Sequence, residues 1–380
     1  MPASPSTARA INDRLALRLL QDEGPLTATQ LKALTGLSRP TVADLVDRLR
    51  GSGLVEVVGE AGAERRGPNA KLYGIVAGRA HLAALDVRAR SVSVVVADLL
   101  GTTLAEASLP IRDGTATEPA VEQAVALLER TAKQAGVAAV HSIGVGAPGL
   151  IDPATGELND SSGLPAWHRR LVPVLQERLP ATVLVENETN LAAVAEQRVG
   201  AARDCDTFVL LWLGQGVGAA VVLDGRLRRG SSGGAGEIGF LPVPGTSGLP
   251  SATDCAGGFH ELVCVAAVDA LARRHGLDPR TALASGEGPF LDALADRLAV
   301  GAAAVVSVLD PGCLVLAGET GHAGGAALAA RVEARLNRLS PLRTEVRPTA
   351  LGDTAVLRGA LLAARDAAQD ELFGPGEGRG

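Results

Sequence analysis

The feature that most constrains this chain is a glycine-punctuated stretch over residues 207–243. Two apolar runs, 207–213 and 217–223, flank Gly214-Gln215-Gly216, and Asp224-Gly225 follows as the kind of two-residue turn that closes a hairpin. The spacing predicts strands joined at glycine corners. Glycine is used where a Cβ would block a turn or an approaching group, and Gly233, Gly234, Gly236 and Gly239 crowd around one carboxylate, Glu237. The pattern predicts a presented acidic side chain; the plainer alternative is a set of ordinary tight turns.

With 380 residues the chain exceeds one ordinary core and predicts two or three domains. Its 47% apolar and 21% charged composition is that of a soluble globular protein, expected in the cytoplasm because no run has the length of a spanning helix and the N-terminus lacks a signal-peptide core. Cys205, Cys255, Cys264 and Cys313 have no paired spacing, so free thiols are expected. Charge is uneven: residues 1–80 hold 11 Lys and Arg against 8 Asp and Glu, while the remaining residues hold 25 against 34. A mildly basic head on an acidic body is the asymmetry expected if the head meets nucleic acid.

In the head, Leu15, Leu19 and Leu20 predict a first helix ending at Gly24-Pro25. A second short helix carries Leu31 and Leu34 and stops at Gly36, and a third follows an N-cap at Ser38, with Val42, Leu45, Val46 and Leu49 on one face. This is helix-turn-helix spacing. Strands at 54–58 and 71–75 around a polar tip then predict the wing of a winged helix. The expected contacts to double-stranded DNA are Arg39, Thr41 and Arg48 on the third helix, with Arg65, Arg66 and Lys71 on the wing. A helical protein-interaction module is the alternative, since Asp44 and Asp47 dilute the positive face.

Beyond a linker at 76–79, strands are expected at 82–87, 91–97 and 102–109, a helix at 119–134 and a strand at 142–146, an order that fits an α/β sheet. A strand at 183–185 leads into Glu186-Asn187-Glu188-Thr189-Asn190 and an alanine-rich helix reaching residue 200. Later helices are expected at 258–274, 289–309 and 354–369, with a strand at 314–316.

Gly236-Glu237-Ile238-Gly239, together with the preceding strand-glycine-strand element, resembles the signature of the ROK family (repressors, open reading frames and sugar kinases). Residues 144–152, 161–167, 186–190 and 310–319 resemble further segments of that family, and the likeness covers roughly residues 79–368. It implies an α/β fold: an actin-like (ribonuclease H-like) two-lobed body, here behind a winged helix-turn-helix. The expected divisions are 1–78 for the head, 79–200 with a returning helix 354–369 for the first lobe, 201–353 for the second, and 370–380 for a tail. The resemblance also implies an effector site between the lobes, with Asn187, Glu188, Glu237 and Glu261 at the sugar-contacting positions.

The departures from the family pattern bear on activity. Where ROK kinases carry Asp-x-Gly-x-Thr to cradle nucleotide phosphates, this chain has Asp86-Val87-Arg88-Ala89-Arg90, and Glu188 replaces the aspartate base. Gly163 stands where the family usually has an asparagine. Phe240 replaces the histidine of the family's zinc site, and of its cysteine cluster Cys255 alone remains, with Phe259 two positions before Glu261. No catalytic residues, cofactor or metal are therefore expected. The reading is a transcriptional regulator, expected to repress, that binds a DNA operator as a homodimer or homotetramer and responds to a sugar or sugar phosphate. The alternatives are a sugar kinase with a fused DNA-binding head, and a regulator whose cleft carboxylates merely bind local loops and which senses no small molecule.

Overall fold

The computed structural model describes residues 5–61, 70–112, 114–152, 154–158, 165–251 and 256–373. The head comprises α1 (Pro5–Asp22), β1 (Leu26–Thr27), α2 (Ala28–Thr35), α3 (Arg39–Gly51), β2 (Val55–Ala61) and β3 (Ala70–Ile75). Thr27 caps α2 reciprocally: its Oγ1 accepts from the Gln30 amide at 3.2 Å, and Gln30 Oε1 accepts from the Thr27 amide at 2.9 Å. Gly36, at φ 69°, ends α2 in a left-handed turn, and Ser38 then caps α3. Leu31, Val42, Leu45, Val46 and Leu49 are buried against Ala16, Leu17 and Leu20 of α1 and against Leu54, Val55 and Ile75 beside and on the wing strands. Of the expected α1 positions Leu20 is buried and Leu19 packs half-buried on the same core, whereas Leu15 is 40% exposed and Ala16 and Leu17 are buried in its place. The sheet order is β1-β3-β2, with β1 an unforeseen third strand; the wing tip, including Arg65 and Arg66, lies outside the described residues.

The body has two sheets. The first is built from β4 (His81–Arg88), β5 (Ser91–Asp98), β6 (Thr103–Pro110), α4 (Thr117–Gln134), β7 (Ser142–Ala147), α5 (Trp167–Arg178), β8 (Thr182–Asn187) and α6 (Glu188–Val199). The second follows with β9 (Phe208–Leu213), β10 (Val217–Leu223), β11 (Arg226–Arg228), α7 (His260–Val263), α8 (Val265–Arg274), α9 (Pro279–Ser285), α10 (Gly288–Leu309), β12 (Cys313–Ala317), α11 (Gly318–Leu339), β13 (Glu345–Pro348) and finally α12 (Ala355–Leu372). Strand orders are β6-β5-β4-β7-β8 and β11-β10-β9-β12-β13. Each sheet joins three antiparallel strands to two parallel ones in the same arrangement, a duplication of topology that no sequence repeat betrays.

Central strands are buried on both faces, which is why they read as continuous apolar runs. In β4, Ala83, Leu85 and Val87 face α4 and α5, while Leu82 and Ala84 share a core with α6 and α12. In β9, Val209, Leu211 and Leu213 join the core with α8, α10 and α11, and Phe208 and Leu210 join the core that holds α6 and α12. Helices α6 and α12 therefore lie between the sheets. Their approach is close: a Cβ on Gly144 would stand 2.1 Å from the Ala360 carbonyl oxygen, and one on Gly359 would stand 2.0 Å from that of Leu191.

The expected single helix over 258–274 is broken at Cys264, whose extended ψ of 161° separates α7 from α8. Helices α9 and α11 and strand β13 complete the second sheet's surroundings without having been foreseen. The end of α12 also meets the head, where Gln369 Nε2 donates to Gln21 Oε1 at 2.7 Å and Arg14 pairs with Asp370. Among the described residues, no helix is long and apolar enough to cross a membrane.

Candidate functional site

The ends of β4 and β8, the start of α11 and the glycine corner packed on the first half of β10 converge on one site between the sheets. Asp86 and Arg88 come from the last turn of β4. Asp86 is 4% exposed; its Oδ2 accepts from Arg88 Nε at 2.9 Å, and its Oδ1 is buried without a hydrogen-bond partner among the described residues. Burial pushes the Asp86 pKa up despite the guanidinium beside it. Arg88 Nη1 lies 3.9 Å from Glu319 Oε1, at the first turn of α11. Gly214 makes this possible, since a Cβ there would stand 2.2 Å from Glu319 Oε2. The turn that cradles phosphate in ROK kinases is thus filled by an internal ion pair. His168, buried and with its pKa lowered to about 4 by desolvation, donates from Nε2 to the Arg88 carbonyl at 3.3 Å and braces the same turn.

Asn187 ends β8 and caps α6. Its Oδ1 accepts from the amides of Thr189 at 2.8 Å and Asn190 at 3.3 Å, and its Nδ2 donates to the Gly149 carbonyl at 3.0 Å. Both ends of this amide are therefore engaged in holding the loop and helix. Glu188 follows, with Oε2 buried and without a partner among the described residues; desolvation pushes its pKa up to about 8, with the charges of Asp86 and Glu237 adding to the rise and Arg88 opposing it. Glu237 arrives from the opposite sheet. Its glycine corner approaches β10 so closely that a Cβ on Gly236 would stand 1.9 Å from the Ala219 carbonyl oxygen. The residue is exposed at the cleft rim, yet desolvation of its carboxyl raises its pKa. Glu188 and Glu237 are thus brought within each other's field, as the glycine pattern and the polar cluster suggested. The turn at Asp224-Gly225, at φ 55° and 72°, closes the β10–β11 hairpin.

Glu261 is turned to its own loop. Oε1 accepts from the Ser247 amide at 3.0 Å, and Oε2 accepts from the Ser247 hydroxyl at 2.7 Å and the Gly257 amide at 2.8 Å. The Ser247 hydroxyl is the main cause of its lowered pKa. Phe259 is fully buried, its ring filling the space where a Cβ on Gly301 would stand 2.5 Å away, so hydrocarbon occupies this part of the family's zinc region. With Phe240 at the histidine position, these residues do not fit a zinc ion. Cys255 and Gly163 lie outside the described residues, among which no three His, Cys, Asp or Glu side chains are grouped to hold a metal.

Two further features join the lobes. Arg229, following β11, donates from Nε to Glu186 Oε2 at 2.6 Å, while Glu186 Oε1 accepts from the Asn187 amide and from Asn190 Nδ2. Glu196 on α6 is fully buried and binds both chain crossings between the lobes. Its partners are the amides of Ala201, Ala350 and Leu351 and the Thr349 hydroxyl. Partners up to 155 residues apart leave no sequence signal.

On the head, Arg39 and Lys71 are exposed and Thr41 is half-buried, its hydroxyl 2.8 Å from that of Ser38. Arg48 is turned back onto α1. Its Nη2 and Nε donate to Asp13 at 2.6 and 3.3 Å, and it also pairs with Asp44, so much of its charge is already answered.

The ROK family model matches residues 82–367. The chain belongs to the ROK family. A MarR family model matches residues 11–66, across the winged helix. Among curated relatives, the DNA-binding transcriptional dual regulator NagC of Escherichia coli is 27% identical over 275 residues, covering 70% of this chain and 64% of NagC. The xylose repressor of Caldicellulosiruptor bescii is 25% identical over 237 residues, covering 62% of this chain and 59% of the repressor. The matched segment thus spans less than two thirds of either relative. A solved ROK family transcriptional regulator, a homologue of the E. coli MLC protein, aligns over 96% of this chain and 98% of its own with a TM-score of 0.77 at 20% identity, sharing both head and body fold.

Proposed function

We propose that this ROK protein is a cytoplasmic, sugar-responsive transcriptional repressor whose body binds its effector between the lobes without catalysing phosphoryl transfer. The observation that carries the reading is the joining of an exposed winged helix to a ROK body whose phosphate turn is occupied by the Asp86–Arg88 pair. The similarity to NagC and to a xylose repressor supports DNA and sugar as the two ligands. Residues 1–78 serve as the DNA-binding domain, 79–200 with the returning helix as one lobe and 201–353 as the other. The acting form is a homodimer or homotetramer on a double-stranded operator.

Arg39, Thr41, Arg65, Arg66 and Lys71 are the assigned DNA contacts, whereas Arg48 chiefly braces α3 on α1. Anisotropy titrations on an operator found by genomic footprinting should show Arg65→Ala/Arg66→Ala weakening binding across all sequences and flattening the salt slope by about two charges. Thr41→Val should instead relax preference at one operator position. An unchanged salt slope in the double variant would refute the wing assignment.

Effector binding must favour one lobe closure to change DNA affinity. The charge of Glu237 acts on Glu188, and the end of α12 meets α1 through Gln369–Gln21 and Arg14–Asp370, so closure has a physical route to the head. Glu237→Ala is expected to abolish the effector's influence on operator affinity while effector-free binding stays within about twofold. A normal effector response in this variant would exclude the coupling role. The retained carboxyl at Glu188 keeps a kinase reading open to one direct test. ATP-dependent phosphorylation of any member of a sugar panel would replace the non-catalytic assignment.

A further inference from the structure

Among the described residues, Asp86 Oδ1 and Glu188 Oε2 are both buried without a hydrogen-bond partner, and the two carboxyls act on each other electrostatically. Glu237 adds to the field at Glu188, and Glu319 and Asp353 add to that at Asp86. The guanidiniums on hand are committed: Arg88 to Asp86 with Glu319 nearby, and Arg229 to Glu186. Buried acceptors without partners destabilise a structure unless a ligand supplies hydrogens.

Resting on the sugar-sensing reading above, we propose that the effector carries no phosphate or carboxylate. It is a neutral or amino-bearing sugar whose hydroxyl or ammonium hydrogens fill Asp86 Oδ1 and whose hydroxyls, able to donate or accept, pair with the Glu188 carboxyl, which makes Asp86 an effector-binding residue. A phosphate ester would bring a double negative charge against this cluster, and recruiting Arg88 to it would strip Asp86 of its partner. At separations of about 5 Å in a cleft, one like-charge contact is enough to cost on the order of a hundredfold in affinity.

The test is isothermal titration calorimetry on the full chain at pH 7 with matched probes: glucose, xylose and N-acetylglucosamine, the phosphate ester of each, and glucosamine. The expected result is that any sugar that binds does so at least about tenfold more tightly than its ester. Asp86→Asn should weaken the free sugar about tenfold and narrow its advantage over the ester, a change in preference that partial unfolding would not produce. Tighter binding of an ester overturns this proposal and leaves sugar sensing intact. Failure of every probe to bind to protein that still binds DNA overturns the sugar-sensing reading and this inference with it.

Discussion

Replacing Glu196 with alanine is expected to destabilise the protein by about 3–5 kcal/mol, as loss of a buried hydrogen-bond network with several donors does. Glu196 is fully buried, and its two oxygens gather the Ala201, Ala350 and Leu351 amides and the Thr349 hydroxyl. Those donors sit on the two stretches of chain that pass between the lobes. Without the carboxyl, several N–H groups remain in a site that gives them no alternative acceptor, each costing roughly 1–3 kcal/mol before relaxation or entering water offsets part of it. Glu196→Gln keeps the volume but presents an NH2 group to donors, so it should fall between wild type and alanine. Urea unfolding followed by circular dichroism checks this. An alanine variant within 1 kcal/mol of wild type at an unchanged m-value would mean that the crossings are held by packing alone.

Much of this architecture was legible because its determinants are local. Residues 217–223 read as a strand because both faces of β10 are packed, and Asp224-Gly225 announced its hairpin because both residues take positive φ. Gly236 was informative for the same reason: a glycine beside a carboxylate marks a backbone pressed against a neighbour, here Ala219. What escaped was set by distant partners or by interrupted periodicity. Helix α11 contains Gly321, Gly324 and Gly325, the last outside helical geometry at φ 50°, so its pattern did not read as a helix. On α1 the expected Leu15 gives way to Ala16 and Leu17, which share one core with Phe373 at the far end of the chain, a partner the local pattern does not reveal. At the site, local motifs located Glu188 and Glu237 but gave no means of learning that Glu261 spends both oxygens on Ser247 and Gly257, or that Arg229 reaches Glu186. Motif resemblance locates a position in a fold; the hydrogen bonds at that position decide whether it is free to meet a ligand.

The stability of the effector-free protein should fall as pH rises from about 4.5 to about 8, and Glu188→Gln should remove much of that fall. Burial holds the Glu188 pKa at about 8 in the folded chain, against roughly 4.3 when unfolded. Below the lower value both states carry the proton, and the group contributes no pH dependence. Between the two values the folded state binds the proton that the unfolded state has released, so stability declines by about 1.4 kcal/mol per pH unit. Above the upper value both states are ionised and the loss is complete, roughly 3–5 kcal/mol in all. Glutamine has the same shape and does not titrate, and its NH2 group offers hydrogens toward the Asp86 side of the cleft. The advantage of the variant should therefore be near zero at pH 4.5 and largest at pH 8. Asp86 and Glu237 face Glu188 and are themselves pushed up by burial, while Arg88 opposes them, so the transition should be broader than that of a single group. Denaturant midpoints from pH 4.5 to 8.5 measure this. Parallel curves for wild type and Glu188→Gln would show that the Glu188 carboxyl is not held in its protonated form by the fold. A sugar that donates hydrogens to this cluster should make the wild-type curve shallower but leave the variant nearly unchanged, because it fills in the wild type the acceptor that glutamine has already altered.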